Sequence, residues 1–232
     1  MSVKKVYVLS GAGLSAESGI KTFRDSDGLW ENYSIEEVCS TSGWRRDREK
    51  VTQFYNDRRA DLATKKPNHA HKELAKLKSK YPDNIFMLTQ NVDNMLEQAG
   101  CDDVIHLHGT LTDLRCEECE TVFSIGYDPQ GDTPCPQCDS SFVRHNVVMF
   151  GENAPAYVHL NRLYTQAEMV VVIGTSGNVI DTAYIAQIIE NSVLNNLDID
   201  VEHDRHFSKL LYQPATEAID EIVELVEDFL AE

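Results

Sequence analysis

Four cysteines carry the most specific chemistry in this sequence. Cys116, Cys119, Cys135 and Cys138 form C-x2-C-x15-C-x2-C, the spacing of two knuckles that fold four thiolates around one zinc ion. Four thiolates complete a tetrahedral shell and leave no position for water or substrate, so a zinc held there is structural. Disulfides are the competing reading, and they need an oxidising compartment. Cys39 and Cys101 lack such spacing and read as free thiols. Arg115 and Arg144 are the only basic residues near the ribbon, which disfavours nucleic acid as its ligand.

Three further stretches place reactive groups where strands end. In TQNVDN, Gln90, Asn91 and Asp93 stand at a strand-to-helix hand-over, the edge at which open α/β sheets bind ligands; an Asx cap on the next helix uses the same residue types. In VIHLHGTL, His106 and His108 share one face of a strand, and periodicity does not choose between them. His108 directly precedes Gly109 at the strand end and is the better placed proton acceptor, against a purely structural histidine. In GAGLSAESG, Gly11, Gly13 and Ala16 satisfy G-x-G-x-x-A, so amides and a helix start can receive a pyrophosphate, or the motif is only a turn. A dehydrogenase would continue to a second strand and an acidic residue about twenty positions on; this chain runs instead into IKTFRDSDGLW. Tyr55 and Arg58 share a face if residues 51–63 are helical, a pairing suited to a carboxylate or to a surface salt bridge.

The elements that must position these groups can be read from apolar runs. Residues 6–9, 85–88, 104–107, 147–150 and 169–173 read as buried parallel strands. Helices are expected at His69–Ser79, Val92–Ala99, Ala156–Gln166 and Asp181–Asn191. After Pro214, Ile219, Ile222, Val223, Val226, Phe229 and Leu230 mark one face of a closing helix. The alternation predicts an α/β fold, a Rossmann-like parallel-sheet domain with a smaller lobe of zinc ribbon and helices. Residues 1–30, 75–110 and 147–232 would form the large domain. Residues 31–74 would be a helical insertion and residues 111–146 a zinc-binding one.

Across 232 residues the formal net charge is −17, which repels phosphate backbones and favours basic, lysine-rich partners over specific nucleic acid, or serves only to keep the chain in solution. The apolar run after Lys4-Lys5 is too short for a signal-peptide core, and no run approaches the length of a membrane span. A soluble, cytoplasmic protein without membrane association is expected.

Read in order, these stretches resemble the sirtuins. GAG followed by Ser15, then Ser18-Gly19-Ile20, two variable residues and Phe23-Arg24, is similar to that family's first motif, with Lys21-Thr22 where many relatives carry Pro-Asp, a variant of bacterial members. The resemblance implies that NAD is consumed as co-substrate and that one structural Zn2+ is held. Gly11, Ala12, Gly13, Ala16, Glu17, Thr22, Phe23, Arg24 and Trp30 would line the dinucleotide site. Gln90 would lie near the ribose, and Asn91 and Asp93 would hold the nicotinamide carboxamide. His108 would be the base, with Asn91 beside it as the second catalytic residue. Gly174, Thr175 and Ser176 resemble the family's GTS turn, and Asn196-Leu197-Asp198 its N-L-E contact with Asp for Glu; Ala215 would be a late adenine-side contact. Ile180-Asp181-Thr182 departs from the Pro and small residues of many relatives and leaves the start of that helix open. VVMFGE, with Val148, Phe150, Gly151 and Glu152, resembles the segment that pairs with substrate backbone as an added strand, while a plain core strand would read the same.

The Tyr55-x-x-Arg58 pattern, together with Ala16 and Thr22, resembles class III members that remove succinyl and malonyl groups. The resemblance thus implies a protein lysine deacylase acting on acylated lysine in proteins or peptides. The acyl oxygen attacks the ribose carbon bearing nicotinamide, and the products are nicotinamide, free lysine and O-acyl-ADP-ribose. Mono-ADP-ribosyl transfer in the same cleft, or a non-catalytic NAD or ADP-ribose sensor, are the alternatives.

Overall fold

The computed structural model describes residues 3–21, 29–30 and 33–232; Thr22, Phe23 and Arg24 lie outside them. Six strands pair side by side in the order Lys209–Leu211, Asn191–Asn195, Met169–Ile173, Val6–Ser10, Ile85–Thr89, Ile105–His106, and every pairing is parallel. Numbered along the chain from the opposite edge this is 3-2-1-4-5-6, the doubly wound order whose switch point lies beside the first strand.

The central strand shows why the sheet is sandwiched. VYVLS is buried at all five positions, and successive side chains alternate between faces. Val6 and Val8 pack with Leu74, Ile219, Ile222 and Val226 from helices His69–Lys80 and Ala215–Ala231. Tyr7 and Leu9 pack on the other face with Leu160, Leu163 and Ile185 from helices Val158–Gln166 and Thr182–Ile188. The closing helix therefore lies where its three- and four-residue spacing put it.

A second group of elements sits apart from this sheet. Gly109–Cys116 pairs antiparallel with Val122–Ser124 and Val143–Val147, and helices Ile35–Val38, Thr41–Arg46 and Arg48–Leu62 precede it. Val38, Trp44, Phe54, Tyr55, Met95, Leu111, Val147 and Met149 form its own core. Helix His69–Lys80 runs through the expected change at residue 74 and packs on the parallel sheet as one piece. The backbone at Trp30 pairs with Tyr33 in a two-residue ladder.

Several expected elements need correction. The run at 147–150 is not a parallel strand of the sheet: Val147 ends the antiparallel strand Val143–Val147, and Phe150 bonds through its amide to the Cys39 carbonyl at 2.8 Å with its side chain exposed. A short apolar run has no period that separates a core strand from such an edge. The helix expected at 92–99 is only Met95–Gln98, because the Asp93 carboxylate takes the Met95 amide at 3.1 Å and the Thr89 hydroxyl takes the Asn91 amide at 3.0 Å. The helix expected to reach Asn191 stops at Ile188, and Asn191–Asn195 is a strand, tied to the edge by reciprocal bonds between Ser192 and Ser208. Among the described residues, no helix is long and apolar enough to cross a membrane.

Candidate active site

The carboxyl ends of strands Val6–Ser10, Ile85–Thr89 and Met169–Ile173 meet at the switch point, and glycine makes the meeting possible. A Cβ on Gly13 would lie 2.5 Å from the Gly174 Cα, and one on Gly11 2.7 Å from the Gly174 carbonyl oxygen; Gly174 itself has φ +64°. That conformation and that approach both require glycine. The amides of Gly11 and Gly13, however, donate to the carbonyls of Ile173 and Gly174, each at 2.9 Å. These two amides are thus not open to a phosphate, and the glycines act through close backbone approach. The helix that follows is the single turn Gly13–Ala16, with Ala12 at its cap.

Around this crossing the QNVD segment is pinned from below. Asn91 Nδ2 donates to the Gly11 carbonyl at 3.0 Å and to Ser15 Oγ at 3.2 Å, and Ser15 Oγ lies 3.2 Å from His71 Nε2. With both amide hydrogens engaged, Asn91 presents its carbonyl oxygen as an acceptor. Burial raises the Asp93 carboxyl above its usual range, opposed by the Met95 amide and the Ser15 hydroxyl. Gln90 Nε2 reaches Thr175 Oγ1 at 3.0 Å, and Asn196 Nδ2 reaches the Thr175 carbonyl at 2.9 Å. Gln90, Thr175 and Asn196 are therefore joined by hydrogen bonds, and Asn91 and Asp93 meet at Ser15, all at the carboxyl ends of the central strands. Leu197 and Asp198 are exposed, while Ala215 is buried at the start of the closing helix. Ala16 and Ser176 are half-buried. Both Glu17 oxygens bind Thr216, one through its amide at 2.9 Å and one through its hydroxyl at 2.6 Å.

Geometry separates the two histidines that spacing left equivalent. His106 Nε2 meets the Glu97 carboxylate at 2.6 Å and Nδ1 meets the Asn91 backbone carbonyl at 2.9 Å. Burial alone would push His106 down, but the Glu97 carboxylate and the Asn91 carbonyl together hold its pKa above the ordinary value. Both of its ring nitrogens are held by acceptors, so His106 is braced in place. His108 Nδ1 faces the Gln90 carbonyl at 3.0 Å; a carbonyl only accepts, so Nδ1 carries the hydrogen and Nε2 the lone pair. Burial lowers the His108 pKa, partly offset by that carbonyl, so its imidazole is neutral and basic near pH 7. Its Nε2 lies 2.8 Å from the Tyr157 hydroxyl. Ser15, His71 and Tyr157 are site residues that sequence reasoning missed. His71 could have been suspected as a histidine on the buried face of its helix, beside Ala70 and Leu74.

Tyr55 and Arg58 do share one face of helix Arg48–Leu62 and both are buried, while Arg58 also faces the half-exposed Asp61, the salt-bridge reading. The Tyr55 ring stacks on His145 at 3.7 Å and its hydroxyl meets the Cys39 thiol. Arg58 Nη2 lies 3.7 Å from an Asp61 oxygen. Beside them, Arg144 donates to Glu152 at 2.6 Å, and the Met149 amide donates to the other Glu152 oxygen at 3.0 Å. The amides of Val148 and Phe150 bond to the His108 and Cys39 carbonyls. Among the described residues, the Val148 carbonyl and the Gly151 amide form no backbone bond.

The four ribbon cysteines converge, all Sγ atoms lying within 4.8 Å of one another. Cys116–Cys138 is 3.6 Å and Cys119–Cys135 3.5 Å. Zinc–sulfur bonds of ~2.3 Å give a tetrahedral edge of about 3.8 Å, so the set fits one zinc. It does not fit disulfides, whose sulfurs stand ~2 Å apart.

Comparison with known proteins agrees with this geometry. A curated NAD-dependent protein deacylase of Campylobacter jejuni is 50% identical over 98% of this chain and 98% of its own. A protein of the same name from Helicobacter hepaticus is 42% identical, covering 97% and 98%. Among solved structures, a Sir2 homolog–NAD complex superposes with a TM-score of 0.83 at 35% identity, covering 98% of this chain and 91% of the other. The Sir2 family model matches residues 11–181, and with that match and those relatives the chain belongs to the Sir2 family.

Proposed function

We propose that this chain is an NAD-dependent protein lysine deacylase that removes acetyl and also succinyl or malonyl groups, releasing nicotinamide and O-acyl-ADP-ribose. The observation that carries the reading is the fixed tautomer of His108: its Nδ1 hydrogen is held by the Gln90 carbonyl at 3.0 Å, which leaves Nε2 as a base on the same edge as Asn91 and Asp93. NAD supplies the glycosidic carbon at which the acyl oxygen is alkylated.

The chain's own groups divide the remaining work. Asn91, through its free carbonyl oxygen, and Asp93 hold the nicotinamide carboxamide. Gly11, Ala12, Gly13, Ala16 and Glu17, with Thr22, Phe23, Arg24 and Trp30, surround the dinucleotide from the first turn. Gly174, Thr175, Ser176, Asn196, Leu197, Asp198 and Ala215 take the adenosine side. His108 then accepts a ribose hydroxyl proton at Nε2, so that the hydroxyl attacks the activated acyl carbon. This is general-base work in a preorganised cleft.

The acylated peptide lies along Val148, Phe150, Gly151 and Glu152 as an added strand, meeting the Val148 carbonyl and the Gly151 amide. Tyr55 and Arg58 receive the acyl carboxylate, because a buried guanidinium beside a phenol rewards a negative charge strongly. Four cysteines hold the zinc that keeps the antiparallel sheet folded. The test is nicotinamide release with acetylated and succinylated versions of one peptide. Release with both supports the reading; release with neither, while NAD still binds, overturns it.

A further inference from the structure

The lone pair that the reaction needs on His108 is already occupied. With Nδ1 engaged as donor to the Gln90 carbonyl, Nε2 is an acceptor with a single lone pair, and the Tyr157 hydroxyl, 2.8 Å away, must donate to it. One lone pair accepts one well-formed hydrogen bond, so the phenol and a ribose hydroxyl exclude each other there. The geometry points to Tyr157 as a displaceable cap on the base, a positioning residue that holds Nε2 until a nucleotide ribose takes its place.

The placement of Tyr157 suits such a role. It ends the single 3-10 turn Pro155–Tyr157, five residues after Glu152, which Arg144 anchors at 2.6 Å. Its ring is half-buried against the cluster containing Leu160 and Leu163, and the rings of His108 and Tyr157 meet at a 44° tilt with centroids 5.8 Å apart. The phenol is thus retained by packing at the ring and by one hydrogen bond at its tip. Breaking that bond costs little, and the exchange replaces one neutral hydrogen bond by another. No covalent bond changes and no proton leaves the phenol.

This inference rests on His108 being the base. Calorimetric titration of the zinc-loaded protein with ADP-ribose tests it across four proteins: wild type, Tyr157→Phe, His108→Ala and the double variant. The ring of Phe keeps the packing and removes only the competing donor, so Tyr157→Phe is expected to bind ADP-ribose about threefold to tenfold more tightly, as one neutral hydrogen bond is worth. In the His108→Ala background the same change is expected to do nothing. Unaltered affinity in Tyr157→Phe, or an equal gain without His108, overturns the cap. If Tyr157→Phe fails to fold, a crystal structure of the wild-type chain with ADP-ribose decides: a phenol still at hydrogen-bond distance from Nε2 overturns the proposal. Normal turnover by His108→Ala would instead refute the base assignment itself, so the two failures are distinguishable.

Discussion

The buried His71 makes the fold acid-sensitive, and one substitution isolates its share. His71 is almost wholly buried beneath the site, with Nε2 3.2 Å from Ser15 Oγ and Nδ1 2.9 Å from Asn68 Oδ1. Burial lowers its pKa from 6.5 to about 4, slightly opposed by Glu97. The folded chain therefore keeps His71 neutral at pH values where the unfolded chain protonates it. Stability from this group is complete above pH 6.5 and is lost as pH falls from 6.5 towards 4. At pH 5, which lies 1.5 units below the unfolded value of 6.5 and above the folded value of about 4, keeping the imidazole neutral costs about 2 kcal/mol at ~1.36 kcal/mol per unit. His71→Gln keeps a hydrogen-bonding side chain that never titrates. Urea unfolding of both proteins at pH 7 and pH 5 should show the variant losing about 2 kcal/mol less than the wild type between the two. His145, also held well below its ordinary value by burial beside Arg144 and Arg59, falls in the same direction in both proteins and cancels. Equal losses in the two proteins would refute the assignment of a neutral buried imidazole.

Three further outcomes are expected. Metal analysis should find one zinc per chain, and stripping it should expose the four ribbon thiols to a thiol reagent and unfold the antiparallel sheet; retention of the native fold without metal would contradict a structural role. Tyr55→Phe with Arg58→Met should raise KM for a succinylated peptide by about tenfold to a hundredfold, the worth of hydrogen bonds to a charged group, with a much smaller change for the acetylated peptide; equal changes in steady-state assays would remove the acid pocket. Gly13→Ala forces a Cβ to 2.5 Å from the Gly174 Cα and should cost about 1–3 kcal/mol of stability as overpacking and weaken NAD binding, both readable by urea unfolding and calorimetry.

What the sequence made legible was whatever a local pattern encodes. The four-cysteine spacing, the buried run VYVLS and the closing-helix periodicity each fix a structure without reference to distant residues. Order along the sheet was not among these, since the strands Asn191–Asn195 and Lys209–Leu211 at one edge carry no signal of their own. What it hid depends on contacts between distant segments. His106 and His108 look alike in VIHLHG until Glu97 claims one and Tyr157 caps the other. VVMF has the composition of a core strand, yet Val147 ends an antiparallel strand, the Phe150 amide bonds to the Cys39 carbonyl, and the Phe150 side chain is exposed. The helix expected from Asp181 reaches Asn191 and overlaps the first residue of NSVLN, whose strand identity comes from pairing with Met169–Ile173. The glycine turn was recognised for its residues but not for its bonding, since the amides that a phosphate could use are spent on Ile173 and Gly174.

The base assignment is tested most directly by product analysis of His108→Ala. Incubated with NAD and an acylated peptide, and followed by mass spectrometry, the variant should still be stabilised by NAD in thermal unfolding but should form no free lysine peptide and no O-acyl-ADP-ribose. Deacylated peptide appearing at the wild-type rate would contradict the account, because among the described residues no other group at this cleft edge has both a fixed tautomer and a basic nitrogen free of a carboxylate.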